Sequence, residues 1–222
     1  MMTNLFSIFD PSSSTNFSMN WISMITGVMF IPLLYWSVPS RLQLFWLKFS
    51  NALNKELKNN FQNKKKKFLL IFTSLFWLIL MMNFLGLFPY IFTPTSHINI
   101  TSFMSLPLWM TFMIFGWTNF TNSMFLHLVP LGTPMLLSSF MVCIETISNL
   151  IRPLTLAVRL SANMISGHLL ICLLSNTIYF NNSIYLIIFP SLTILMLLES
   201  AVAIIQSYVF ITLTSLYLNE LN

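Results

Sequence analysis

Long apolar stretches separated by short polar segments run through most of the chain. About 20 consecutive apolar residues are needed for an α-helix to cross the hydrocarbon core of a bilayer. Three stretches of about this length are predicted to form membrane helices: 17–38, with a kink at Pro32, 68–92, and 103–129, bent or interrupted near Gly116. The second and third of these stretches are predicted to form a helical hairpin.

Two further apolar stretches, 133–175 and 183–219, are each about twice as long as one crossing requires. A helix of this length extends for about 60 Å, because each residue adds about 1.5 Å. Neither stretch contains a turn signal in its middle, so each is predicted to form one long, steeply tilted helix. The polar segment 181–183 predicts a turn, and the two long helices are therefore expected to form an antiparallel hairpin.

The segment between the first two predicted spans differs from the rest, because eight of the ten basic residues lie in 41–67 beside a single acid, Glu56. Within 41–63 apolar residues recur every three or four positions, which predicts an amphipathic helix on the membrane surface. A solvated loop is the alternative. The excess of Lys and Arg indicates the cytoplasm-equivalent side of the membrane, which puts the N-terminus outside and the C-terminus inside.

Composition supports a membrane setting, because 56% of the 222 residues are hydrophobic and only 7% are charged. Soluble domains are about 25% charged, so we predict an all-α integral membrane protein with one membrane domain over 1–222. Residues 1–16 contain Asp10 and no basic residue, so no signal peptide is expected. The basic strip carries no recognition motif, so nucleic-acid binding is not expected. No phosphate loop, catalytic triad or metal-ligand spacing is visible, so neither covalent catalysis nor a cofactor is expected.

Arg159 lies in the middle of the first long apolar stretch. A guanidinium at the centre of a bilayer helix costs at least about 2.5–3.5 kcal/mol, and arginine does not lose its proton in proteins. The chain therefore needs a carboxylate or a water-filled cavity facing Arg159. A role in function is the default interpretation of such a residue.

Other polar residues of the first long helix can be placed relative to Arg159. Positions seven apart on a straight helix differ by only about 20°, so Glu145, Arg152 and Arg159 share one stripe. Asn163 lies one turn beyond Arg159, whereas His168 falls on the opposite face of an ideal helix. We therefore expect Arg159 and His168 to face different compartments.

Pairing the two long helices around the predicted turn gives three polar levels. From the outside to the inside, these levels are His168 with Glu199, Arg159 with Gln206, and Glu145 with Glu220. All three pairs share one turn centre to within about one residue, a displacement of about 1.5 Å along a helix. Three of the polar residues also have simpler interpretations. His168 is then a structural residue, Arg152 extends its charged end to the membrane interface, and Glu220 is an ordinary solvated residue near the C-terminus.

Several runs of the sequence closely resemble subunit a of F-type ATP synthase, in the form encoded by animal mitochondrial DNA. The runs that carry the resemblance are 83–90, 127–130, 142–153, 159–168 and 199–210. The resemblance covers most of the chain from about Phe17 onward, and the run that contains Arg159 is its most specific part.

The resemblance implies a stator subunit of a rotary proton path in the mitochondrial inner membrane, without catalysis of its own. Its implied partners are a ring of small membrane subunits, each bearing one carboxylate, and the peripheral-stalk and accessory subunits. Protons would enter from the intermembrane space past His168 and Glu199, and leave to the matrix near Glu145 and Glu220. Arg159 would face the ring carboxylates between the two half-channels. A proton-coupled solute transporter, or a respiratory-chain membrane subunit, is the alternative.

Overall fold

The computed structural model describes residues 5–14, 17–32, 35–61, 67–129, 134–180 and 185–220. Within these ranges the chain forms α-helices and short 3₁₀ turns, and no β-strand. The helices are α1 (Ser23–Met29), α2 (Arg41–Asn60), α3 (Leu69–Gly86), α4 (Ile98–Asn119), α5 (Thr121–Leu128), α6 (Met135–Phe180) and α7 (Tyr185–Glu220). Four of them, α3, α4, α6 and α7, are long and apolar enough to cross a membrane. The prediction of an all-α integral membrane protein is confirmed.

The two long helices of the C-terminal half are continuous over the residues described. Helix α6 has 46 residues and α7 has 36, which corresponds to about 69 Å and 54 Å. Each contains one internal proline, Pro153 or Pro190, and neither proline ends its helix. The helices pack against each other, as predicted for the hairpin, although the expected turn at 181–183 lies outside the described residues.

The structure corrects the first predicted span, 17–38. Its helical part consists of a 3₁₀ turn, Met19–Ile22, followed by α1, and a helix of seven residues is only about 10 Å long. The physical reason is Pro32, which disfavours the α conformation at the residue before it and so ends the helix early. The segment that contains α1 still packs along α3, as the position of Gly27 beside Met82 and Leu85 shows.

The remaining predicted spans differ from the observed helices mainly at their ends. The stretch 68–92 gives α3, which stops at Gly86, and the stretch 103–129 gives α4 and α5. The interruption predicted near Gly116 is found at Phe120, whose backbone leaves the helical conformation. The amide of Phe120 still donates a hydrogen bond of 2.9 Å to the carbonyl of Gly116, so α4 closes its last turn there.

The basic segment forms a helix and not a loop. Helix α2 begins with a reciprocal cap, in which the side chains of Ser40 and Gln43 each accept a hydrogen bond from the other's backbone amide. Trp46 stacks on Trp77 with ring centroids 3.5 Å apart, and Phe61 contacts Phe72. These two contacts are about 22 Å apart along α2 and the residue after it, from Trp46 to Phe61, but only about 8 Å apart along α3, from Trp77 to Phe72. The two helices therefore cross steeply, which supports a surface orientation for α2.

The hydrophobic core lies where α3, α4, α6 and α7 meet, and α2 covers one end of it. It is built mainly from aromatic and aliphatic side chains: Leu57, Phe61, Phe72, Phe76, Ile79, Phe112, Leu156, Leu160, Phe210, Ile211 and Leu218. Many other large apolar side chains of the membrane helices are exposed. Lipid is the environment that suits such a surface.

Candidate functional site

Arg159 projects from the outer face of α6. Its neighbours Leu156 and Leu160 point into the core and are 3% and 1% exposed, whereas Arg159 is exposed. Within the described ranges, its guanidinium makes no hydrogen bond and has no carboxylate within 4.0 Å. The arginine that the sequence singled out thus lies in a membrane helix with its charge directed away from the rest of the chain.

The middle level of the predicted hairpin register is formed by two amides. The side-chain nitrogen of Asn163 donates a hydrogen bond of 3.1 Å to the side-chain oxygen of Gln206. Gln206 was predicted to lie level with Arg159, and Asn163 is one helical turn from that residue. The register therefore holds to about one turn, but Gln206 pairs with Asn163 and leaves Arg159 free.

Glu199 and His168, which form the next level of the predicted register, each lie close to a glycine. The carboxylate of Glu199 lies against the backbone of Gly167, at the place where a side chain on residue 167 would have its first carbon. The ring nitrogen Nε2 of His168 lies 3.9 Å from the corresponding point on Gly86 of α3. Both glycines provide space that any larger residue would fill. His168 thus faces α3 while Arg159 faces outward, as the helix geometry predicted.

A cavity of about 770 Å³ leads to His168 from the end of the molecule that contains the N-terminal segment. Asp10 and Asn20 of the N-terminal segment and Cys172 and Ser175 of α6 line it together with His168. A smaller hollow of about 210 Å³ is lined by residues that include Asn163, Gly167 and Glu199. The polar side chains between the outer end of α6 and Asn163 therefore border two neighbouring spaces.

A second polar region lies near the other end of α6. A cleft of about 330 Å³ is lined by Glu145, Asn149 and Arg152, among apolar residues. The Arg152 guanidinium lies 3.9 Å from the Glu145 carboxylate and 5.1 Å above the centre of the Tyr217 ring. Arg152 is therefore bound within the chain, unlike Arg159. The side chain of Glu220 lies outside the described residues, so its predicted pairing with Glu145 stays a prediction.

The two polar regions are well separated along α6. His168 is about 14 Å from Arg159 along the helix axis, and Glu145 is about 21 Å from Arg159 in the opposite direction. In the part of the chain that the structure describes, no group of three or more His, Cys, Asp or Glu side chains could hold a metal ion. The site is thus two polar spaces with an outward-facing arginine between them.

Sequence reasoning missed the contribution of α3. Asn83 is completely buried, although neither its amide nitrogen nor its amide oxygen has a hydrogen-bond partner among the described residues. Thr95, in the 3₁₀ turn Pro94–Ser96, is 2% exposed and its hydroxyl is likewise unpaired. A polar residue inside a long apolar run was the available signal for Asn83.

These features define an integral membrane protein that carries charged and polar side chains on and between its spanning helices. A family model described as "ATP synthase A chain" matches residues 17–219. "ATP synthase subunit a" from Drosophila melanogaster is 55% identical, and the alignment covers 100% of both chains. The proteins of the same name from Anopheles gambiae and Locusta migratoria are each 54% identical, over 100% and 99% of both chains. The chain belongs to the ATP synthase A chain family, which confirms the resemblance seen in its motifs.

Proposed function

We propose that the chain is the proton-carrying stator subunit in the membrane sector of an F-type ATP synthase, and that it does not itself catalyse ATP formation. The observation that carries this proposal is Arg159, whose charge is exposed on a membrane helix without a carboxylate from the described part of its own chain. Family membership favours this role over the solute transporter and the respiratory-chain subunit that the sequence alone left open.

Arg159 is proposed to face the carboxylates of a rotating ring of small membrane subunits. A positive charge close to a carboxylate favours its ionised form, so a ring carboxylate loses its proton before it passes Arg159. The same charge opposes a proton that would otherwise move straight from one polar space to the other. Arginine suits this role because it stays charged in a site where lysine can lose its proton.

The cavity at His168 is proposed as the entrance half-channel. Asp10 and Asn20 of the N-terminal segment line it together with His168, so water and protons would reach His168 from the side of that segment. Glu199 lies on the backbone of the residue next to His168 and would pass the proton to the ring carboxylate. Asn163 and Gln206, bonded to each other, line the route one turn before Arg159.

The cleft at Glu145 and Arg152 is proposed as the exit half-channel. Arg152 lies between Glu145 and Tyr217. These contacts hold the Arg152 guanidinium beside the proposed exit path and leave the Glu145 carboxylate partly accessible. Pro153 has no backbone amide, so the carbonyl of Asn149 loses its helical partner and can bind water in the cleft. Glu220, at the end of α7, is expected to complete this side.

The proposed location is the mitochondrial inner membrane, with the N-terminus in the intermembrane space and the C-terminus in the matrix. The basic helix α2 supports this orientation, because Lys48, Lys55 and Lys58 are exposed on it and positive charge marks the matrix-equivalent side. Besides the ring, peripheral-stalk and accessory membrane subunits are the expected partners, and the exposed apolar faces of the spanning helices suit such contacts and lipid.

The test is replacement of Arg159 in the assembled complex. Arg159→Ala should abolish ATP synthesis driven by a proton gradient, and Arg159→Lys should lower it severely, while the amount of assembled complex stays close to normal. Val158→Ala is the matched control, because Val158 is 50% exposed on the same turn and carries no charge. Normal ATP synthesis in Arg159→Ala membranes would refute the proposed function.

A further inference from the structure

The part of the chain before α1 forms one wall of the cavity at His168. We refer to its described residues, 5–14 and 17–22, as the N-terminal cover. The 3₁₀ turn Leu5–Phe9 of the cover packs against α6. Five residues of the cover line the cavity of about 770 Å³ together with His168: Ser7, Ile8, Asp10, Ser12 and Asn20. The position of the cover therefore sets how open this cavity is.

The N-terminal cover is folded back on itself by its own hydrogen bonds. The Ser13 hydroxyl donates a hydrogen bond of 2.9 Å to the carbonyl of Phe17 and accepts one of 3.1 Å from the amide of Met19. The side-chain nitrogen of Asn20 donates to the carbonyl of Asp10 at 3.5 Å. Because these bonds join the two ends of the cover, an attachment at one point holds all of it in place.

His97, between the turn Pro94–Ser96 and α4, attaches the cover to the spanning helices. Its ring nitrogen Nε2 lies 3.0 Å from the carbonyl oxygen of Phe9, which is 88 residues away in the chain. A carbonyl oxygen can only accept, so Nε2 carries the proton and donates it. Both the neutral ring and the imidazolium can donate from Nε2, so this attachment does not require a particular charge on His97.

Three aromatic rings pack together at the same place. The ring of Trp21, in the cover, has its centroid 5.4 Å from that of Phe92 and 5.3 Å from that of His97. The rings of Phe92 and His97 are 5.4 Å apart. Such distances are typical of attractive aromatic pairs. His97 thus holds the cover at two points, by a hydrogen bond at Phe9 and by ring contacts at Trp21.

We propose that His97 holds the N-terminal cover over the cavity as a filter, which admits water and protons to His168 and excludes larger polar solutes. Most residues of the cover are exposed, and segments with few buried contacts open at low cost, so the attachment at His97 keeps the cover closed. A filter is useful because other cations outnumber protons about a million-fold at pH 7 and physiological ionic strength.

His97 is in this proposal a positioning residue, which acts through the cover and does not itself carry protons. The inference rests on the proposed function, in which the cavity is the entrance half-channel. The closure of the cover can nevertheless be measured without proton flow, because a native thiol lies in the cavity. Cys172 is half-buried and lines the cavity one helical turn beyond His168.

The test measures how fast a bulky polar maleimide modifies Cys172 in the purified assembled complex. Modification should be at least about fivefold faster in His97→Ala than in the wild type, because one ordinary hydrogen bond changes the open population by about that factor. Cys143 is the internal reference, since it lies more than about 40 Å away along α6, and its rate should not change. The same reagent should inhibit proton-driven ATP synthesis in His97→Ala and leave the wild type active.

Two further replacements of His97 separate the hydrogen bond from the filling of space. His97→Gln keeps an N–H group that can donate to the Phe9 carbonyl, whereas His97→Phe keeps the ring contacts and has no donor. Cys172 should therefore react more slowly in His97→Gln than in His97→Phe. The reverse order would mean that His97 only fills space, and it would overturn the proposed attachment.

Trp21→Ala loosens the cover from its own side and should also speed the modification of Cys172, which keeps the test available if His97→Ala does not assemble. Trp36→Ala is the matched control, because Trp36 is 82% exposed, and it should leave the rate unchanged. A wild-type rate in both His97→Ala and Trp21→Ala would overturn the filter. ATP synthesis by Arg159→Ala tests the proposed function separately, so the two failures can be told apart.

Discussion

Gly167 is the position where a single added methyl group tests the entrance half-channel most directly. An ideal Cβ built on Gly167 would lie 2.6 Å from the carboxyl carbon of Glu199 and 3.2 Å from its Cγ, and it would overlap one carboxylate oxygen. Ordinary contacts of a Cβ begin at about 3.4 Å. Gly167→Ala therefore forces the Glu199 side chain to move, since the backbone of α6 is continuous at this point.

The expected effect on proton transfer is large and the expected effect on folding is small. The carboxyl carbon must withdraw from 2.6 Å to at least 3.4 Å, and a misplacement of about 1 Å in a reacting group can cost about 100-fold in rate. Ala is also favoured over Gly inside a helix by about 0.5–1 kcal/mol, which offsets part of the steric cost. We expect Gly167→Ala to lower proton-driven ATP synthesis about 10- to 100-fold in a complex that still assembles.

The assay compares ATP synthesis and assembled complex in membranes that carry Gly167→Ala or Gly27→Ala. Gly27 is the matched control, because a Cβ there would meet its nearest neighbours, in Met82 and Leu85, at 3.7 Å, which is ordinary contact. Gly27→Ala should therefore leave both quantities unchanged. If Gly167→Ala membranes made ATP at the Gly27→Ala rate, the carboxylate of Glu199 would not need its observed position and the reasoning would fail.

Three further predictions concern the outer cavity, the surface helix and the orientation. Asp10→Asn should lower the external pH at which ATP synthesis is half-maximal, measured at about 0.01 M salt, because the carboxylate concentrates protons at the cavity mouth. This shift should vanish at about 1 M salt, where the charge is screened. An unchanged pH curve at low salt would exclude this role. Trp46→Ala should loosen α2, since it removes the stacked pair with Trp77, and faster proteolysis of α2 would show it. Cysteines at Lys58 and at the fully exposed Tyr90 should react with polar reagents from the matrix and from the intermembrane space, respectively; reaction from one common side would contradict the topology.

The sequence predicted the long helices and their register because both depend on length and periodicity along one chain. Apolar stretches of about 40 residues without a turn signal leave few alternatives in lipid. Two helices that share one turn then place Gln206 and Asn163 within about a turn of each other by counting alone. The hydrogen bond between these two amides agrees with that count.

The first span and the surroundings of Asn83 and Gly167 could not be predicted in the same way. Hydropathy gives only the length of the apolar stretch 17–38, and Pro32 was expected to kink a continuous helix, whereas its effect on the preceding residue ends α1 after Met29. The places of Asn83 and Gly167 depend on which helix packs beside them, and periodicity does not give the neighbour of a helix. The buried amide of Asn83 and the space at Gly167 can be recognised as parts of a site only once α3, α6 and α7 are packed together.

The hydrogen bonds that the chain makes explain why Arg159 is available to a partner. Gln206 pairs with Asn163 and Glu145 lies beside Arg152, so the amide predicted to lie level with Arg159 and one acid of the same helix already have other contacts. The unmet cost of a guanidinium in a membrane helix is at least about 2.5–3.5 kcal/mol, and the proposed ring carboxylate removes that cost only when the complex is assembled. We expect this single ionic contact to add little to docking of the ring, because the exposed apolar faces of the spanning helices offer most of the contact area. The proposed role of the Arg159 charge is to act on each ring carboxylate as it passes, which is why Arg159→Ala should stop ATP synthesis while the amount of assembled complex stays close to normal.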